Sequence, residues 1–147
     1  MIAEKKSFIK VNVQQNGIKK DGMLDLLKSF RENPGLEELY LNDNWIKSEE
    51  AIALLEGITA SCPKLKVLNL SDNNIGDKAS EQIFEILSKN CAELEKLFYN
   101  YNELANEATI RQCLDLISSK LPKIKVRFSL EENRLSSSKE MESAESW

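Results

Sequence analysis

Short stretches of alternating apolar residues recur along the chain at nearly constant intervals. The pattern LxxLxLxxNxL occurs three times, with one tyrosine in place of a leucine, beginning at Leu36, Leu65 and Leu94. Related copies begin at Phe8 and at Phe128. The alternation places apolar side chains on one face of a short strand. The sequence therefore predicts five strands in equivalent repeats.

An asparagine stands near the end of each copy and sets the length of the repeat. The five are Asn16, Asn44, Asn73, Asn102 and Asn133, so successive periods are 28, 29, 29 and 31 residues. A side-chain amide at a turn can bond the backbone of that turn and of the neighbouring repeat. We therefore interpret these asparagines as a buried structural ladder, not as ligands.

Between the strands the apolar spacing changes to that of an amphipathic helix. The predicted buried stripes are Met23, Leu24, Leu26, Leu27 and Phe30; Ile52, Leu54, Leu55 and Ile58; Ile83, Phe84, Ile86 and Leu87; and Ile110, Cys113, Leu114, Leu116 and Ile117. Asp21, Ser48 and Asp77 are predicted N-caps of the first three helices. Each unit thus consists of one strand and one helix.

The dimensions of these two elements predict the shape of the stack. Strands stack about 4.8 Å apart, whereas helices are about 10 Å thick, so the stack must curve. The pattern resembles a leucine-rich-repeat solenoid of the ribonuclease-inhibitor-like class, which is a right-handed β-α superhelix of the α/β class. Its five repeats of 28–31 residues would place a parallel sheet on the concave face and helices on the convex face. We assign 1–135 to this domain and 136–147 to a Ser/Glu-rich tail or partial C-terminal cap.

Composition excludes several kinds of chemistry. The 147 residues contain no histidine, which removes histidine-based catalysis and histidine metal sites. The net charge of −4 argues against nucleic-acid binding. The three cysteines form no CxxC pair, and no apolar run reaches the roughly 20 residues of a membrane span. We expect no metal, no cofactor and no enzymatic activity of its own.

The strand positions that alternate with the leucines would line the concave face, the usual binding surface of a solenoid. Tyr40, Phe98 and Tyr101 are aromatic residues suited to anchoring a protein partner. The candidate protein-binding residues are Glu38, Tyr40, Asn42, Asp43, Asn69, Asp72, Lys96, Phe98, Asn100 and Tyr101.

The beginning of the chain carries no polar capping helix ahead of its first repeat. The apolar residues Phe8, Val11 and Val13 would then lie open at the end of the stack. We therefore expect either a fragment of a longer repeat domain or self-association through this uncapped N-terminal repeat.

Several segments are similar to the C-terminal half of Ran GTPase-activating proteins. They are Val11–Gly22, Leu36–Asn44, Cys62–Leu70 and Tyr101–Leu104. This resemblance implies a partner that is a Ran-type small GTPase, activation of its GTP hydrolysis, and a role in nucleocytoplasmic transport. It also implies a location in the cytoplasm, at the nuclear envelope or in the nucleus.

The arginine that this family uses in an early loop has no match here. The four arginines are Arg31, Arg111, Arg127 and Arg134, and the corresponding early loops carry lysines. We therefore expect a module that lacks the catalytic arginine and is at most an activator of a partner GTPase. The alternative is a generic scaffold of the same class, such as a tropomodulin-like actin-capping or ribonuclease-inhibitor-like binding domain. The amphipathic actin-binding helix that would favour tropomodulin is absent from the sequence.

Overall fold

A computed structural model describes residues 10–12, 20–129 and 140–142. Strands and helices alternate along the chain, as the repeat pattern predicts. The strands are β1 (Lys10–Asn12), β2 (Glu38–Tyr40), β3 (Val67–Asn69), β4 (Lys96–Phe98), β5 (Lys125–Ser129) and β6 (Glu140–Glu142). The helices are α1 (Lys20–Arg31), α2 (Ser48–Ser61), α3 (Asp77–Asn90) and α4 (Glu107–Lys120).

The six strands form one sheet in chain order, and β1 to β5 are all parallel. Equivalent positions of successive repeats are paired, so that Leu39, Leu68, Leu97 and Val126 stand side by side. The last strand, β6, pairs with β5 in the antiparallel sense. This strand lies within the segment that the sequence assigns to a tail or partial cap, and it was not predicted.

The core lies between the sheet and a single layer of helices, in which each helix packs on the next. In the three central repeats, the strand leucines Leu39, Leu41, Leu68, Leu70 and Leu97 have no exposed surface. Tyr99, which replaces a leucine, is equally buried; its hydroxyl lies 2.8 Å from Ser80 Oγ and its ring packs edge-on against Phe84. A hydrogen bond to Ser80 explains why a phenol is tolerated in this layer.

The predicted apolar stripe of α1 is only partly buried. Met23 and Phe30 belong to the core, but Leu26 and Leu27 are half-buried and Leu24 is 59% exposed. Among the described elements, α1 packs against only one helix, α2, whereas α2 and α3 each have two helical neighbours. The prediction that Leu24 is buried is therefore wrong, because no described helix covers that side of α1.

The predicted N-caps are also wrong, because Ser48 and Asp77 are the first helical residues of α2 and α3, and Asp21 lies inside α1. The side chains of Ser48 and Asp77 instead accept hydrogen bonds from the next repeat. Ser48 Oγ accepts from the Gly76 amide at 3.0 Å, and the Asp77 carboxylate accepts from the Ala105 amide at 3.2 Å. Stacking places the following repeat's loop beside each helix start, so these polar groups connect repeats.

Candidate functional site: the sheet face and the turn edge

A ladder of buried asparagines fixes the turns that follow the strands. Asn73 Oδ1 accepts hydrogen bonds from the amides of Asn44 (3.1 Å) and Ile46 (3.0 Å) in the preceding repeat. Its Nδ2 donates to the carbonyls of Leu41 and Leu70, each at 3.1 Å. One side-chain amide therefore joins two repeats and supplies hydrogen-bond partners to buried backbone groups of both.

The neighbouring asparagines repeat this arrangement. Asn102 Oδ1 accepts from the Ile75 amide at 3.3 Å, and its Nδ2 donates to the Leu70 carbonyl at 3.0 Å. Asn44 Nδ2 donates to the Leu41 carbonyl at 3.0 Å. The two remaining predicted members, Asn16 and Asn133, lie outside the described residues.

The face of the sheet opposite the helices carries the side chains that alternate with the buried ones. Glu38, Tyr40, Asn69 and Phe98 are half-buried there, and Lys96 is exposed. Tyr40 and Phe98, two of the predicted aromatic anchors, are therefore only partly accessible on this face. Strands about 4.8 Å apart bring neighbouring side chains into contact, which covers part of each ring.

Tyr40 is held in place by two charged neighbours. Its hydroxyl donates to Glu38 at 3.2 Å, and Lys10 Nζ lies 4.9 Å from the centre of its ring. Lys10 also forms an ion pair with Glu38 at 3.8 Å. Burial, followed by the nearby Glu38 charge, raises the pKa of Tyr40. These contacts fix the ring of Tyr40 beside β1.

Polar side chains further along the strands support the backbone. Asn69 Oδ1 accepts from the Ser71 amide, and Ser71 Oγ accepts from the Asn100 amide, each at 3.0 Å. Asn42 is half-buried, and its carbonyl accepts from the Asn44 side chain at 3.3 Å. The predicted contact residues of this row thus have a structural role as well as a place on the face.

The turns after β2, β3 and β4 each contain a residue in the left-handed backbone region. Asp43, Asp72 and Tyr101 take equivalent positions in three repeats, with φ of 59°, 56° and 61°. Asp43 is half-buried, whereas Asp72 and Tyr101 are exposed. Aspartate tolerates this conformation well, and tyrosine much less so.

Trp45 is the functional candidate that sequence reasoning missed. It also has a left-handed backbone, with φ of 59°, and its side chain is 74% exposed. The equivalent positions hold Asn74 and Glu103, neither of which has a positive φ. Its signal in the sequence was a tryptophan at a repeat position that is polar in the next two repeats.

Other kinds of site are not found in the part of the chain that the structure describes. No group of three or more histidine, cysteine, aspartate or glutamate residues there is arranged to hold a metal ion. Within the same residues, no helix has the length and apolar character to cross a membrane. The described cysteines, Cys62, Cys91 and Cys113, are all buried and unpaired by disulfides.

A family profile described as "Leucine Rich repeats (2 copies)" matches residues 34–80. Together with the parallel sheet, the layer of helices and the asparagine ladder, this match defines a leucine-rich-repeat solenoid. The predicted fold class is confirmed.

Among solved structures, the chain is similar to "Leiomodin-1 Actin-Binding Site 2 (ABS2)", with a TM-score of 0.69 and 18% sequence identity. The alignment covers 84% of this chain and 71% of that one. At this identity the likeness shows a shared fold. No curated protein matches the chain by sequence. Nothing in these comparisons links the chain to Ran GTPase-activating proteins.

Proposed function

We propose that this chain is a protein-binding module that engages its partner with the open face of its parallel sheet. The observation that carries the proposal is the fixed row of polar and aromatic side chains on β2, β3 and β4. Hydrogen bonds within and between repeats hold these groups in register before any partner arrives. Such preorganisation lowers the entropic cost of binding, and solenoids commonly bind through this surface.

Actin is the first partner to test. The solved structure reported above is named for an actin-binding site, and it shares this fold over most of both chains. This likeness supports the actin-binding alternative better than it supports a GTPase activator. We propose that the chain binds actin as a scaffold and carries out no chemistry of its own.

The test is cosedimentation with filamentous actin and interferometry with monomeric actin, using the full chain. Lys96→Gln and Phe98→Ala alter the open face, and we expect each to weaken binding at least several-fold. Lys89→Gln on α3 is the matched control, since Lys89 is also an exposed lysine but lies on a helix. If Lys89→Gln weakened binding as much as Lys96→Gln, the open face would be excluded as the binding surface. Absence of binding to both forms would exclude actin.

A Ran-type GTPase is the second partner to test, because four segments of the sequence resemble activators of that GTPase. In this proposal the chain binds the GTPase in the cytoplasm or at the nuclear envelope and leaves its rate of GTP hydrolysis unchanged. The reason is that the early loops lack the arginine that this family carries in an early loop, and activation needs either an arginine finger or help in orienting the catalytic groups of the GTPase. A binding assay tests the first statement, that the chain binds the GTPase. A single-turnover hydrolysis assay tests the second, that the rate of GTP hydrolysis is unchanged. Accelerated hydrolysis would contradict the second.

A further inference from the structure

We propose that the edge of the solenoid where strands lead into helices is a docking strip for a basic segment of the protein partner. This inference rests on the proposed binding function and adds the chemistry of the partner. The acidic turn edge, as we name it, consists of residues 42–50, 71–78 and 100–107. Its two aromatic anchors are Trp45 and Tyr101.

The conformation of Trp45 is the first observation. A left-handed backbone is unfavourable for an L-residue, except for glycine, asparagine and aspartate. Burial does not offset this cost, since the side chain of Trp45 is 74% exposed. The fold itself does not require the conformation there, because Asn74 and Glu103 do without it in equivalent turns. An exposed, strained tryptophan on a rigid turn is typical of a contact residue.

The second observation is that the anchors are fixed relative to one another. The Asp43 amide donates to the Ser71 carbonyl at 3.0 Å, and the Asp72 amide donates to the Asn100 carbonyl at 2.9 Å. Each turn is thereby joined to the next at the spacing of neighbouring strands, about 4.8 Å. The turns of Trp45 and Tyr101 are two repeats apart and so about 10 Å from each other, with Asp72 between them.

Charge is the third observation, and it distinguishes the two edges of the solenoid. The acidic turn edge carries seven carboxylates and only two lysines. Arg111 forms an ion pair with one of them, Glu107, at 2.9 Å. The opposite edge, residues 32–37, 61–66, 90–95 and 120–125, carries four carboxylates and five lysines. The acidic turn edge is therefore the more negative of the two edges.

A lysine or arginine side chain fits both features of this strip. Carboxylates such as Asp72 form charge-assisted hydrogen bonds with it, and tryptophan and tyrosine rings attract it over their faces. Phosphate-bearing partners are disfavoured because the same carboxylates repel them. The geometry thus points to a segment with several basic residues spaced to reach two aromatic anchors about 10 Å apart.

The test uses a fluorescent peptide of alternating arginine and serine, and the same peptide with glutamate replacing every arginine. Binding to the full chain is measured by fluorescence anisotropy at low and at physiological salt. We expect the arginine peptide to bind more weakly as salt rises, and the glutamate peptide not to bind. Trp45→Asn and Asp72→Asn should each weaken binding about tenfold. Asparagine accepts the left-handed backbone, so both variants retain the turn.

Two control variants match these changes elsewhere on the surface. Glu95→Gln removes a carboxylate from the opposite edge, and Leu24→Ala removes an exposed apolar side chain from α1. Neither should alter binding. Equal binding of both peptides, no binding of the arginine peptide, or full binding by Trp45→Asn would overturn the inference. Actin binding through Lys96 and Phe98 is read separately, so either proposal can fail alone.

Discussion

The two edges of this solenoid are built from the same repeat and differ in what they display. At the acidic turn edge, buried asparagines hold turns that present Trp45 and Tyr101 to solvent. At the opposite edge, Cys62 and Cys91 end their helices and are buried, and charges pair between repeats, as Lys66 does with Glu37 at 3.3 Å. The opposite edge covers the core, whereas the acidic turn edge exposes side chains on a rigid backbone.

The largest effect should come from breaking the ladder that holds the turn edge. Asn73→Ala removes the acceptor of the Asn44 and Ile46 amides and one of the donors to the carbonyls of Leu41 and Leu70. Buried unsatisfied groups cost about 1–3 kcal/mol each, so we expect the free energy of unfolding to fall by about 3 kcal/mol or more.

Urea unfolding followed by circular dichroism measures this loss. Asn74→Ala is the matched control, because Asn74 is the adjacent asparagine and is exposed. Its substitution should change stability by less than about 0.5 kcal/mol. Equal effects of the two variants would show that the ladder does not hold the turns.

Alkaline pH should destabilise the protein through its buried thiols. Burial raises the pKa of Cys91 and of Cys113 from an ordinary 9.0 to about 12. The folded state holds these protons more tightly than the unfolded state, so stability is full below pH 9.0 and falls as pH rises toward 12.

One pH unit above the unfolded pKa, each thiol should account for about 1.4 kcal/mol of lost stability. The measurement is the free energy of unfolding against pH for the natural chain and for Cys91→Ala. The slope above pH 9.0 should be smaller for the variant. Parallel curves would mean that Cys91 titrates normally when folded.

A smaller effect is expected where the core accepts a phenol. Tyr99→Phe removes the hydrogen bond with Ser80 Oγ, which can still donate to the Gly76 carbonyl at 2.7 Å. The expected loss is about 1 kcal/mol. A double-mutant cycle with Ser80→Ala measures the coupling. A coupling energy of zero would show that the hydroxyl groups do not stabilise each other.

The smallest effect should come from the charged pairs of the opposite edge. The side chains of Lys66 and Glu37 are 40% and 33% exposed, and pairs that water reaches are screened by water and salt. The pair raises the pKa of Lys66, chiefly through its hydrogen bond to Glu37. We expect Lys66→Gln to unfold at the same urea concentration as the natural chain. A clear shift would show that this edge depends on its charges.

The repeat spacing predicted the parallel sheet, the helices and the buried strand leucines, because each depends on local periodicity and burial. It could not predict that Ser48 and Asp77 bond to the following repeat, since those contacts arise only when repeats stack. The exposure of Leu24 likewise depends on which neighbour covers α1. These differences concern contacts between units and not the units themselves.

The candidate site was predicted less completely than the fold. The sequence identified the positions that face outward, but it did not show that Tyr40 is held by Lys10 and Glu38. It offered one signal for Trp45, a tryptophan at a repeat position that is polar in the next two repeats, but it did not indicate the exposure or the backbone conformation of this residue. The left-handed backbone of Asp43, Asp72 and Tyr101 recurs in equivalent turns, and side-chain alternation carries no information about it.

The stability of Trp45→Asn tests most directly whether Trp45 serves binding and not folding. The measurement is the free energy of unfolding from urea titration, followed by circular dichroism. We expect it to be unchanged or to rise by up to about 1 kcal/mol, because asparagine relieves the strain of the left-handed backbone. A fall of about 1 kcal/mol or more would make Trp45 a structural residue and would contradict its assignment as a binding anchor.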